Sequence, residues 1–146
     1  MREIMFRGQT RRRGEQVNMA GDKLPGRWVY GGVLQGTGDY SIIYGGENLD
    51  DIEKHMVYTD TIGQYTGLTD KNGVKIFEGD IIRHYNQADN PYSYSQGVVF
   101  WNENGCEYRR TEKNSDDTWK IRPCRIYEII GNIHDNPELI GGGQDE

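Results

Sequence analysis

Cysteine is scarce in this chain of 146 residues: Cys106 and Cys124 are the only two. They allow one disulfide at most, and only if the fold brings them together. Long apolar runs are missing as well. No stretch approaches the ~18 consecutive apolar residues of a membrane helix, and the opening Met1-Arg2-Glu3-Ile4 has no apolar segment of the secretory type. The expectation is a cytoplasmic protein with no membrane partner and with reduced thiols. Apolar residues make up only 34% of the chain and the mean hydropathy is −0.86, yet 10 Tyr, 3 Trp and 20 Gly are not a disordered composition. Many glycines and aromatics with few alanines suit short strands joined by turns. At this length roughly 68–70% of the unfolded surface can be buried, enough for a core without staples.

Charge is unevenly spread. Residues 1–13 hold five arginines against Glu3, a balance of +4, while the whole chain is −6, which leaves −10 for residues 14–146. An acidic body argues against coating duplex DNA by charge alone, because that needs several Lys or Arg facing phosphates. The basic arm, Arg11, Arg12 and Arg13 above all, keeps a narrower nucleic-acid reading open. A solvated loop is the more ordinary explanation.

Turn chemistry organises the middle of the chain. Asp70-Lys71-Asn72-Gly73 has an Asp that can cap the turn backbone and an Asn-Gly pair that tolerates positive φ. Val74–Phe77 leaves it as a strand, Glu78-Gly79-Asp80 turns again, and Ile81–Tyr85 is a β-branched run. Upstream, residues 4–8 read as a first strand and 9–26 as a polar connection. Residues 27–34 and 40–44 form a hairpin with a bend at Gly31-Gly32. Residues 45–53 are an acidic loop with one helical turn, and 55–58 is the next strand. Downstream, residues 86–95 are a loop around Pro91. Asn104-Gly105 joins a strand at 97–101 to one at 106–110, residues 118–121 and 127–133 are further strands, and Asn136-Pro137-Glu138 starts a helical turn. The tail from Gly141 to Glu146 should fray. The expected fold is all-β. It is one unit over residues 1–146, with a division into two small β subdomains at the 86–96 loop as an option.

Several blocks carry a family resemblance. The run from Gly63 to Ile82, GQYTGLTDKNGVKIFEGDII, resembles the signature of the YopX family, small proteins carried by phages and prophages. Arg2–Gly8 is similar to the family's start and Trp28–Gly31 to its tryptophan-led strand, Gly97–Phe100 follows the signature, and Tyr127–Leu139 resembles the family's closing block. The arm at residues 9–26 looks longer than the family's usual link. The resemblance implies small SH3-like barrels, a fold that hosts many roles.

Chemical sites have little support in the sequence. His55, His84, His134, Cys106 and Cys124 lack the close pair spacing of zinc ligands. Cys106 with His84 or His134 has no motif for nucleophilic catalysis. Glu78 with Asp80 is a close carboxylate pair, but a turn cap explains Asp80 better. Gly63, Gly67, Gly73 and Gly79 precede no helix, so they cradle no phosphate. The expectation is no enzyme, no metal and no cofactor. Recognition is the sharper possibility: Gln64, Tyr65, Thr66 and Asp70 lining a groove, with Tyr92 and Tyr94 as loop-borne anchors. Packing is the more ordinary role for Tyr65 and its apolar neighbours. The expected partner is a phage or host protein, or a second copy of the chain. The alternative is nucleic acid gripped by Arg11, Arg12, Arg13, Arg109 and Arg110.

Overall fold

The computed structural model describes residues 2–86, 90–123 and 126–140; Cys124 and the tail expected to fray, 141–146, lie outside them. Eleven strands are named in chain order: β1 (Phe6–Arg11), β2 (Arg27–Leu34), β3 (Tyr40–Gly45), β4 (Glu53–Tyr58), β5 (Gly63–Thr69), β6 (Lys75–Phe77), β7 (Asp80–Tyr85), β8 (Tyr94–Asn102), β9 (Glu107–Thr111), β10 (Thr118–Lys120) and β11 (Tyr127–Asn132). Every recorded pairing is antiparallel. Among the described residues the only helical pieces are single 3-10 turns at Leu49–Asp51, Thr59–Thr61 and Pro137–Ile140. The fold is all-β.

The chain divides into two compact units, Met1–Tyr65 and Thr66–Glu146, and the boundary falls inside β5. The 86–96 loop does not divide it. That loop lies within the second unit, where β7 and β8 pair across it from Ile81–Val98 to Tyr85–Tyr94. Pro91 and its neighbours signal irregular backbone, and irregular backbone closes a hairpin as readily as it ends a domain.

In the first unit the strands run β4-β3-β2-β1, and the start of β5 pairs with β1 at Phe6–Gln64 and Arg7–Gly63. β2 changes partner midway. Residues Arg27–Gly31 pair with β1, and Gly32–Leu34 pair with β3. Gly31 makes the corner: its φ is +154°, and a Cβ there would stand 1.9 Å from the Tyr44 carbonyl oxygen. The sheet curls enough for Gly8 on β1 to rest against Val57 on β4. No ladder joins those two strands among the described residues, so the implied SH3-like barrel is not closed here. Ile43 and Val57 are fully buried between the curled strands. β1 also reaches further than its apolar residues suggest. Gln9 is buried because its N–H donates to Thr61 Oγ1 at 2.8 Å, and that hydroxyl donates to the Tyr58 carbonyl at 2.6 Å.

The second unit orders its sheet β10-β9-β8-β7-β11, while β6 lies beside the later part of β5. Its core is Ile76, Ile82, Val99, Ile121 and Tyr127, with Leu68, Tyr108 and Ile129 packed against them. The two turns of the central stretch are carboxylate-built. Asp80 is buried and accepts from the Phe77 N–H at 2.7 Å. Asp70 accepts from the N–H groups of Asn72 and Val74 at 2.8 and 3.0 Å, and its other oxygen takes the Ile129 N–H at 3.2 Å. The closing block is set by Asn132, whose side-chain oxygen accepts from the His134 and Asp135 N–H groups.

The second Asn-Gly turn places its strain on a neighbour. Cys106, not Gly105, holds the left-handed conformation, with φ +51°. A residue with a Cβ pays roughly 1–2 kcal/mol for that region. Cys106→Gly is therefore expected to raise stability by about 1 kcal/mol, read as a higher urea midpoint with an unchanged slope.

Candidate functional site

The recognition residues read from the sequence mostly make contacts within the fold. Gln64 sits in the β1–β5 ladder, and the Tyr65 N–H donates to the Met5 carbonyl at 2.8 Å. Thr66 donates to the Ile76 carbonyl at 2.9 Å and accepts from the Leu68 N–H. Asp70 is the turn anchor just described. Tyr94 belongs to a stack in which Arg83 lies 4.4 Å from its ring and the Tyr85 ring lies 6.0 Å away. Lys71 approaches the Tyr85 ring at 5.0 Å, so the Asp70 turn and Tyr94 are joined through Tyr85. Of the six, Tyr92 is the most exposed, at 90%, and Tyr94 is exposed at 41%.

The arginine arm is folded onto its own unit. Arg11 donates to Gln16 Oε1 at 2.9 Å and to the Pro25 carbonyl. Arg12 grips Asp60 through both carboxylate oxygens, at 2.8 and 3.1 Å, and lies 4.1 Å from the Tyr58 ring. Arg13 also has a partner. Tyr58 is hydrogen-bonded to Glu15, which lowers the Glu15 pKa and raises that of Tyr58. In the other unit Arg109 donates to Thr118 Oγ1 and to the Thr118 carbonyl, at 2.8 and 2.7 Å, while Arg110 is buried beside Glu112 at 3.1 Å. A charge run alone does not show this: the Arg12 partner is 48 residues away, and several of the other acceptors are neutral groups, Gln16, Thr118 and the Pro25 carbonyl.

Two of the histidines have neighbours within their own unit. His55 Nε2 lies 3.5 Å from Glu53, and the His84 ring tilts against Tyr127 at 5.6 Å. Among the described residues no group of three or more His, Cys, Asp or Glu comes together.

The surface that stands out is the outer face of β2–β3–β4. Register places Leu34, Ile42 and Met56 directly opposite one another across the three strands. The next row toward the strand ends pairs Tyr40 with Tyr58, their rings 5.4 Å apart. Leu34 is 57% exposed, Met56 65% and Tyr40 52%, and Tyr30 is also open. The sequence had marked these strands but not this face. With one apolar side already turned to Ile43 and Val57, a second apolar side needs the register to be seen. A shallow cleft of about 450 Å³ opens beside it, between Arg12, Asp39, Tyr40 and Tyr58. β4, at the edge, carries exposed Glu53 and Lys54, charges that discourage strand addition.

The second unit has a polar cleft of about 330 Å³ at one end of its sheet, lined by His84, Arg110, Trp119, Arg122 and Tyr127 among others. No helix among the described residues is long and apolar enough to cross a membrane.

Comparison with known proteins gives one family. The model of the family described as YopX protein matches residues 26–141. No curated protein matches the chain. Among solved structures, protein EF1440 from Enterococcus faecalis is similar: it is 23% identical, over 96% of this chain and 99% of that one, with a TM-score of 0.47.

Proposed function

The chain belongs to the YopX family, and from that premise we propose that it is a phage- or prophage-encoded accessory protein acting by protein–protein contact. It performs no chemistry of its own and works in the host cytoplasm. The observation that carries this reading is the Leu34–Ile42–Met56 row with Tyr40 beside it. Leu34 and Met56 are exposed with Ile42 half-buried between them, so the row across three adjacent strands forms a contiguous patch rather than scattered residues, and such patches mark contact surfaces. Tyr40 and Tyr58 supply rigid aromatic area at the end of the patch, the kind that anchors interfaces. The charged edge of β4 favours docking on the face over strand addition.

Nucleic acid gripped by the arginine arm gains no support from the geometry, since Arg11 and Arg12 have acceptors within their own unit. The test is capture from host lysate, with and without nuclease, using wild type and Leu34→Glu. Leu34 is exposed, so the variant is expected to fold. A protein retained after nuclease by wild type, and at least tenfold less by the variant, supports the reading; one charge buried in an apolar contact costs that much or more. Retention that the variant leaves unchanged, or that nuclease abolishes, would overturn it.

A further inference from the structure

The polar cleft of the second unit is built differently from the outer face of the first, and it supports a separate conclusion. Arg110, on β9, is only 5% exposed, yet it lines the cleft. A buried guanidinium is costly unless its donors are answered. Glu112 and the Thr111 carbonyl take one terminal nitrogen, at 3.1 and 3.4 Å. Among the described residues nothing accepts from the other terminal nitrogen or from Nε. Trp119 lies directly across the β9–β10 ladder from Arg110, and its indole is 52% exposed with no ring stacked on it among the described residues. Arg122 follows β10. Its backbone N–H donates to the Tyr127 hydroxyl at 2.9 Å, which fixes it at the rim, and its guanidinium has no acceptor among the described residues.

The charges in this cleft do not cancel. Glu112 is engaged by Arg110, and Lys120, itself in the lining, is paired at 3.0 Å with Glu107, which is not. Arg122 and the open side of Arg110 remain, in a chain whose net charge is −6. An acidic protein that keeps one exposed guanidinium, and a buried one with donors to spare, beside a bare indole offers a fork for an anion next to a platform for a flat ring. Guanidinium groups bind phosphate with paired, charge-assisted hydrogen bonds, and a base stacks on an aromatic face whatever its identity.

We propose that this cleft binds a nucleoside phosphate, with the base on the Trp119 indole and the phosphate between Arg110 and Arg122. His84 and Tyr127 form the floor, their rings already tilted against each other. The site uses neither the arm nor the outer face of β2–β4, so it stands or falls apart from the interaction surface. The ligand could reach the cleft as a free nucleotide or as a residue of a single strand, and both present the same chemistry.

Calorimetric titration of the full chain with AMP, adenosine, inorganic phosphate and a five-nucleotide oligo-dA tests it. AMP is expected to bind more tightly than adenosine or phosphate. Trp119→Ala should weaken AMP by about 5- to 150-fold, the loss of one stacked base. Arg122→Ala should weaken it by a similar order and flatten its salt dependence. Both side chains are exposed, so folding is not at stake, and a thermal melt confirms it. Tighter binding of the oligonucleotide than of AMP assigns the source to a single strand, and the reverse assigns it to a mononucleotide. No AMP or oligonucleotide binding at millimolar concentration, or binding that both variants leave unchanged, would overturn the assignment.

Discussion

Asp70→Ala is expected to lose about 3–4 kcal/mol of unfolding free energy. The reasoning is a count of stranded donors. Three backbone N–H groups, those of Asn72, Val74 and Ile129, point at its two oxygens. The first two shape the turn and the third belongs to β11, so one side chain both closes a hairpin and fastens a strand 59 residues away. Alanine removes every acceptor and leaves the donors in a region where Asp70 itself is only 7% exposed. The neighbouring bond from the Lys71 N–H to the Tyr127 carbonyl, at 2.8 Å, loses its support at the same time. Asp70→Asn keeps one oxygen for the turn but presents an amide where Ile129 donates. It should recover about half of the loss. Urea unfolding of the three proteins measures this, and an alanine variant within 1 kcal/mol of wild type would mean that water replaces the carboxylate.

Gly97→Ala is expected to be as damaging for a steric reason. A Cβ at position 97 would lie 1.7 Å from the Thr111 carbonyl oxygen and 2.5 Å from its carbon. Both are backbone atoms, so no rotamer change relieves the clash; β8 and β9 must separate. Thr111 Oγ1 accepts from the Val98 N–H at 2.9 Å, so the same displacement breaks that bond. Overpacking of this kind costs roughly 1–3 kcal/mol where side chains can yield, and more where they cannot. We expect a loss above about 3 kcal/mol or an insoluble product. A soluble variant with a wild-type midpoint would show that the strands part without penalty. Gly32 on β2 is the control: nothing lies within 4 Å of its Cβ position.

The central stretch was legible because its physics is local. The turn contacts of Asp70 and Asp80 reach residues two to four positions away, and the sequence displays such spacings directly, unlike the bond from Ile129 to Asp70. The hairpins at residues 27–44 and 97–110 follow from the same short-range chemistry. What could not be read is long-range. β5 does not stand out within its turn-rich stretch, since its strand character comes from pairing with β1 and not from a β-branched run. β1 was cut short at Gly8 because Gln9 looks like loop until Thr61 is known to receive it. The arginines were offered to phosphate because their acceptors, Asp60 for Arg12 and Thr118 for Arg109, lie elsewhere in the chain. The cleft of the second unit is not visible in the sequence, even with Arg110 in view, because its indole partner is placed by the β9–β10 register. Alternation showed which strands exist, but not which rows of side chains stand side by side.

β5 begins in one unit and ends in the other, and this bears on how such a protein can be inherited in pieces. A recombination event that exchanged residues 1–65 alone would join half a strand to a foreign half. The incoming Gly63–Tyr65 would have to suit its own β1, while the resident Thr66 kept its bond to the Ile76 carbonyl. Side-chain direction alternates along a strand, so a junction that gains or loses one residue turns the remainder of β5 over. Exchange between related genomes is therefore safest outside residues 63–69, in the 12–26 arm or the 86–96 loop. Mosaic relatives should carry this strand intact, with their breakpoints on either side of it.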